Sequence, residues 1–239
     1  MSRSGDEDRL LGVVTSSLKS WLSRVREAVM KPWQSYKISP NPTGVYQVPW
    51  DPEVDTILTE IGKISLNAWS QASDVPPVSR HAFVMAQLAQ TRNFLVRIPD
   101  ETYNLIFAAI TDAINGGGDT QAVANAVDNV LTWTGSEYWP NRANVIAITE
   151  TTRAYGAGTL AAGMEQSRVT GRLLRKRWVH ESDKRVRATH RAVTKEPIPL
   201  TAMFQVGADL MLYPADPMAS ADEACGCRCD LVIVNEGGR

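Results

Sequence analysis

Cysteine and histidine are scarce in this chain, three of each in 239 residues, and the cysteines (Cys225, Cys227 and Cys229) all fall within five positions. An odd, clustered count is not the disulfide framework that staples small secreted domains. No stretch approaches the roughly 20 apolar residues that a membrane-spanning helix needs. The opening residues, MSRSGDEDR, lack the apolar core of a secretory signal, so the chain reads as an intracellular product. Missing too are Gly-x-x-x-x-Gly-Lys-Ser/Thr, Gly-x-Gly-x-x-Gly, His-Glu-x-x-His and Gly-x-Ser-x-Gly, the signatures of nucleotide binding, zinc proteases and serine hydrolases. The glycines at 116–118 close a helical pattern instead of opening one, which makes them a poor phosphate cradle. Charge of one sign is also absent: 25 basic residues face 26 acidic ones, so total charge selects no partner.

What is present is mostly helical periodicity, in a chain long enough for one large domain or two small ones. Leu10, Leu11, Val14, Leu18, Trp21, Leu22, Val25 and Val29 repeat at i, i+3/i+4, i+7 and predict a helix over about 7–30 with one apolar stripe. Prolines at 32, 40, 42, 49 and 52 punctuate the next segment, and its aromatics (Trp33, Tyr36, Tyr46, Trp50) argue against a freely solvated linker. An irregular arm lying on a surface is expected there. Four further helices follow: Asp51 to Ala72, Ser79 to Leu95, one capped by Asp100 and ended by Gly116, and one capped by Asp119. A fifth, rich in small residues, covers about 141–165. After Gly171 the pattern turns to short runs, Leu173–His180, Pro197–Phe204 and Leu231–Val234, which suggest strands. The expectation is an α+β protein: an arm at 1–50, a mainly α-helical body at 51–170, and a small β-containing C-terminal module at 171–239.

Chemistry concentrates in that last segment. Between Arg168 and Lys195 there are ten basic and two acidic residues, a local charge of +8 in a nearly neutral protein. Such a stretch either meets phosphate backbones or pairs with acids elsewhere. Candidate nucleic-acid contacts are Arg172, Arg175, Lys176, Arg177, Arg185, Arg187 and Arg191. The three cysteines alternate, so in a strand their sulfurs share one face, and His190 or His180 is a candidate fourth metal ligand. Structural zinc, however, usually draws on two separated ligand pairs, so reduced structural thiols are the favoured reading and no cofactor is expected. Asp183, Arg185, Arg187 and His190 form a polar cluster that reads as an ion-paired turn and not as a nuclease site. Glu150 and Arg153 share a helix face and should pair.

Taken in order, these features resemble the phage Mu F-like head-morphogenesis family, over about Leu95–Val232. LVRIPDETYNLIFAAITDAINGGGDTQAVANAV is similar to that family's Ile-Pro segment, helix, glycine break and next helix. RANVIAITETTRAYGAG, with Thr149, Glu150 and Arg153, resembles its Thr-Glu-Thr helix. LLRKRWVH (Trp178), the turn Asp183-x-Arg185-x-Arg187-x-x-His190, IPLTAMF, the loop Pro214-Ala-Asp216-Pro217 and the terminal Cys227-Arg-Cys229 follow in the family's order. Cys225 and Gly226 depart from the pattern. The resemblance implies a minor head protein in the capsid interior near the portal vertex, present in host cytoplasm during assembly. It implies the portal protein and capsid or scaffolding protein as partners, with double-stranded DNA as a further candidate and no membrane. A phage hydrolase or toxin-like enzyme using the His/Cys region, and a free-standing host DNA-binding protein, are the other hypotheses. No catalytic residue is assigned.

Overall fold

The computed structural model describes residues 3–78, 81–181 and 183–235. Helices dominate: α1 (Arg3–Tyr36), α2 (Asp51–Ala72), α3 (Ala82–Leu95), α4 (Ile98–Asn115), α5 (Thr120–Leu131) and α6 (Tyr138–Thr170). Small antiparallel sheets follow, so the protein is α+β and mainly helical, as expected. The chain divides into two compact units, each made of separate segments. One lies within Gly12–Ile57 and Arg92–Asn144, the other within Met1–Leu11, Leu58–Thr91 and Val145–Arg239. These units cut across the three sequence segments.

In the first unit, the stripe on α1 is buried as its spacing predicts, with Val14, Leu18, Trp21, Leu22, Val25 and Val29 all inaccessible. The arm expected at 31–52 is a correction. The helix runs on through Pro32 to Tyr36 and stops where Lys37 takes a left-handed φ of 55°. Pro32 removes only one i−4 bond so near the end, and the Val29 carbonyl gains the Asn41 N–H at 3.0 Å. Asn41 then caps a 3-10 turn, Pro42–Gln47. Gly44 packs so closely that a Cβ there would sit 2.9 Å from the Ala28 carbonyl carbon. Trp50 is buried, packs with its ring tilted against Trp21 at 5.1 Å and donates to the Leu95 carbonyl at 2.8 Å.

Helix α4 begins two residues before the predicted cap. Arg97 is its N-cap, and Pro99 and Asp100 stand in the first turn, where a missing N–H costs nothing and a carboxylate suits the dipole. Its C-terminal half leaves Phe107 and Ile114 exposed; the buried positions are Ile98, Thr102 and Ile106. Asp119 does cap α5, accepting from the Ala122 N–H at 2.8 Å. The predicted cap Ser79 lies outside the described residues.

The second unit is built on the later turns of α2 and α6, with α3 and the C-terminal module. The module holds β1 (Leu174–Val179), α7 (Ala188–Arg191), β2 (Ile198–Pro199), β3 (Phe204–Val206), β4 (Asp209–Met211), α8 (Ala221–Ala224) and β5 (Asp230–Asn235). Strand β1 is central, antiparallel to β2 and β5, with Trp178 opposite Leu231 and Lys176 opposite Ile233; β3 and β4 form a hairpin. The inner face packs Trp178, Phe204, Val206, Met211, Tyr213 and Leu231 onto Ala157 and Leu160 of α6. Small residues make this approach feasible. A Cβ on Gly158 would overlap the Ser65 carbonyl of α2, and one on Gly156 would come within 2.6 Å of the Tyr213 ring.

These contacts predict opposite outcomes for two glycine substitutions in helices. Gly158→Ala should cost about 1–3 kcal/mol by overpacking, lowering the melting temperature by several degrees. Gly12→Ala, where a Cβ meets nothing within 4 Å, should be neutral or stabilising by up to about 1 kcal/mol. Calorimetry on both variants checks the pair.

Candidate functional site

The family-motif residues converge on the polar face of α6. Thr149, Glu150, Thr151, Thr152 and Arg153 are all buried, an unusual run of polar side chains inside a core. Arg153 pairs with Glu150 at 2.5 Å, as their spacing predicts, but the pair is sunk in the protein instead of lying on a surface. Glu150 also accepts from Thr91 of α3 at 2.6 Å, and Arg153 Nε donates to the Ala215 carbonyl at 2.9 Å. Ala215 holds a left-handed φ of 59° in the Tyr-Pro-Ala-Asp-Pro loop. Asp216 fixes that loop by accepting from the Leu212 and Met218 N–H groups at 2.7 and 3.0 Å, with Pro214 and Pro217 on either side of the Ala215–Asp216 pair.

The same stretch of α6 holds the cysteine loop. Thr149 Oγ1 accepts from the Gly226 N–H at 2.9 Å, and the Thr152 hydroxyl donates to the Cys227 carbonyl at 2.5 Å. Gly226, at φ 66°, turns the chain between them. Arg3, from the start of α1, donates to the Cys229 carbonyl at 3.2 Å and pairs with Asp230. Arg187 donates to the Cys225 carbonyl at 2.5 Å. The loop is thereby pinned from three directions by its backbone, and its side chains are left to one another.

Those side chains meet His190 of α7. Its Nδ1 lies 3.4 Å from Cys229 Sγ and 3.6 Å from Cys227 Sγ. Its Nε2 lies 3.0 Å from Glu223, which also accepts from Thr189 at 2.9 Å. Trp178 packs edge-on against the imidazole at 5.6 Å. All three ligand-type atoms fall within 4.8 Å of one another, and all three residues are buried. Cys225 stays half-buried and outside this group. The hydrogen bond from Cys229 pulls the Cys227 thiol well below its usual pKa against the effect of burial, with His190 assisting. The same hydrogen bond, with burial, pushes Cys229 up. Burial opposes protonation of His190, but hydrogen bonding and charge from Cys227, with Glu223, carry its pKa upward.

The cationic stretch divides. Arg172, Arg177, Lys184, Arg185, Arg191 and Lys195 are exposed. Lys176 is a correction: as an inward position of β1 it is fully buried, donates to the Leu212 carbonyl at 2.7 Å and rests over the Phe204 ring, so no phosphate can reach it. Arg175 donates to the Pro197 carbonyl at 3.0 Å and Arg187 is engaged as above, so both serve the fold. Asp183 and Arg185 form the ion-paired turn that the sequence suggested. Sequence reasoning missed Glu223 and Arg3. Neither has a local signal, since Glu223 stands 33 residues from His190 and Arg3 stands 226 from Cys229.

The profile of the family described as Phage Mu protein F like protein matches residues 104–232, more than half of the chain. The chain belongs to the phage Mu protein F-like family. The match begins within α4 and runs past Cys229, so this Mu F-like protein is a bacteriophage, head-associated protein, and its buried α6 face and cysteine loop lie inside the family region. No curated protein and no solved structure matches it significantly. Among the described residues, no helix is long and apolar enough to cross a membrane.

Burial lowers the Lys176 pKa to about 8, with Asp216 acting in the opposite sense. The unfolded chain binds this proton up to about pH 10.4 and the folded chain releases it earlier, so stability should rise with pH between these values. The gain is on the order of 3 kcal/mol for full release. Denaturant midpoints at pH 7 and 10 should show a rise in the wild type that Lys176→Met lacks.

Proposed function

We infer that this Mu F-like protein is a minor head protein, structural and not enzymatic, that sits in the capsid interior near the portal vertex. Its family membership across residues 104–232 carries the reading. Its partners are the portal protein and capsid or scaffolding protein, and packaged double-stranded DNA is a third. The polar cluster around His190 supports a non-enzymatic role, because its hydrogen bonds tie loops together and Asp183 is taken up by Arg185. Quantitative mass spectrometry of heads purified from infected cells should find the protein at well below capsid-protein stoichiometry. Absence from heads, or hundreds of copies, would sink this reading.

DNA contact rests on the exposed arginines and lysines alone. Each phosphate neutralised releases a counterion, contributing about 0.9 to the slope of log affinity against log salt. Changing Arg172, Arg177 and Arg191 together to Ala should therefore flatten the slope by up to about 3, with no sequence preference. Lys176→Met should leave the slope unchanged. An unaltered slope in the triple variant means that these cations face protein.

A further inference from the structure

The His190–Cys227–Cys229 cluster has the dimensions of a coordination sphere. A tetrahedral zinc with bonds of about 2.3 Å to sulfur and 2.0–2.1 Å to nitrogen has N···S edges of about 3.5 Å. The two observed edges, 3.4 and 3.6 Å, bracket that value. One ring nitrogen nearly equidistant from two sulfurs is a poor hydrogen-bond arrangement, because Nδ1 carries at most one hydrogen and can aim it at one acceptor. As two edges of a metal tetrahedron the same geometry is natural.

The surroundings fit as well. Zinc-bound histidines usually give their second ring nitrogen to a carboxylate, which fixes the tautomer and the ring plane. Glu223 stands at Nε2 for that purpose and is itself held by Thr189. Two thiolates neutralise a divalent cation, so the buried centre is neutral overall, which limits the cost of burial. The indole N–H of Trp178, whose ring packs edge-on against His190, is buried without a hydrogen-bond partner. On one side the cluster lines a cavity of about 60 Å³ whose walls include Glu181, Asp183 and Arg187, polar and large enough for water.

We propose that His190, Cys227 and Cys229 bind one zinc ion, with Glu223 orienting the histidine and a water from the adjoining cavity in the fourth position. Both thiol protons leave on binding, and no electron transfer is involved. The Cys-x-Cys-x-Cys spacing by itself favours plain structural thiols, because it is unlike a site of two separated pairs. The third ligand comes from α7, far along the chain, and completes the set without a second cysteine pair. The ion clamps the loop before β5 to α7. Cys225 takes no part.

The full chain, purified without chelators, should carry one equivalent of zinc by elemental analysis. Exchange with cobalt(II) should give the intense visible bands of a tetrahedral site and a sulfur-to-metal charge-transfer band. Cys227→Ser and Cys229→Ser should each lose the bound equivalent, and Cys225→Ser should keep it. Glu223→Gln should weaken zinc affinity about 10–100-fold. Should the two ligand variants fail to fold, the cobalt spectrum of the unaltered chain and the Glu223→Gln affinity still decide. The proposal is overturned by a metal-free chain that develops no cobalt spectrum, by a single titratable thiol after unfolding without reductant, or by metal loss in Cys225→Ser equal to that in Cys227→Ser.

Discussion

A guanidinium and a carboxylate buried together on one helix turn organise the second unit. Arg153 and Glu150 are each less than 8% exposed, and neither charge is tolerable there alone. The pair survives because it is bonded further, by Thr91 on one side and the Ala215 carbonyl on the other. Helix α3, helix α6 and the Tyr-Pro-Ala-Asp-Pro loop are therefore tied by a network that is either complete or costly. An apolar helix face would pack in several rotations with similar energy. On this one, Thr149, Glu150, Thr152 and Arg153 find their partners together in a single rotation.

The cysteine loop depends on that fixed rotation. Thr149 and Thr152 stand one turn apart on α6 and bond the backbone at Gly226 and Cys227, so the position of α6 sets where both sulfurs point. Gly158 and Gly156 let α2 and Tyr213 close on the same helix. The motif residues from α6 onward thus work around one centre. They bring β1, α7 and the loop before β5 to a common centre, with Trp178 and His190 packed edge to face at its middle.

Much of this was legible from residues alone, because the relevant forces are local. The α1 stripe, the Asp119 cap, the glycine stop at 116–118, the Glu150–Arg153 pair and the strand at Leu174–Val179 all follow from spacing and side-chain chemistry within one or two turns. The irregular arm was misjudged because proline density was read without position: Pro32 falls near a helix end and Pro42 at the start of a turn, where each is tolerated. Lys176 was misread because a charge run hides the alternation of a strand. Every second residue of β1 faces inward, and the lysine that falls there finds a carbonyl and an aromatic ring. Glu223 and Arg3 were out of reach, since only tertiary structure joins them to the site.

The pairing of Arg3 with Asp230 spans 227 positions of the chain. Residues at the two extremes of the described sequence belong to one cooperative body, while the segments 12–57 and 92–144 form the other. On a ribosome, which releases the chain from its amino end, the first helical turn must wait for this partner until Asp230 has emerged. The 12–57 and 92–144 unit has all its residues available well before that. Completion of the cysteine-bearing unit therefore waits for β5, and every polypeptide that stops short of β5 leaves this unit unclosed.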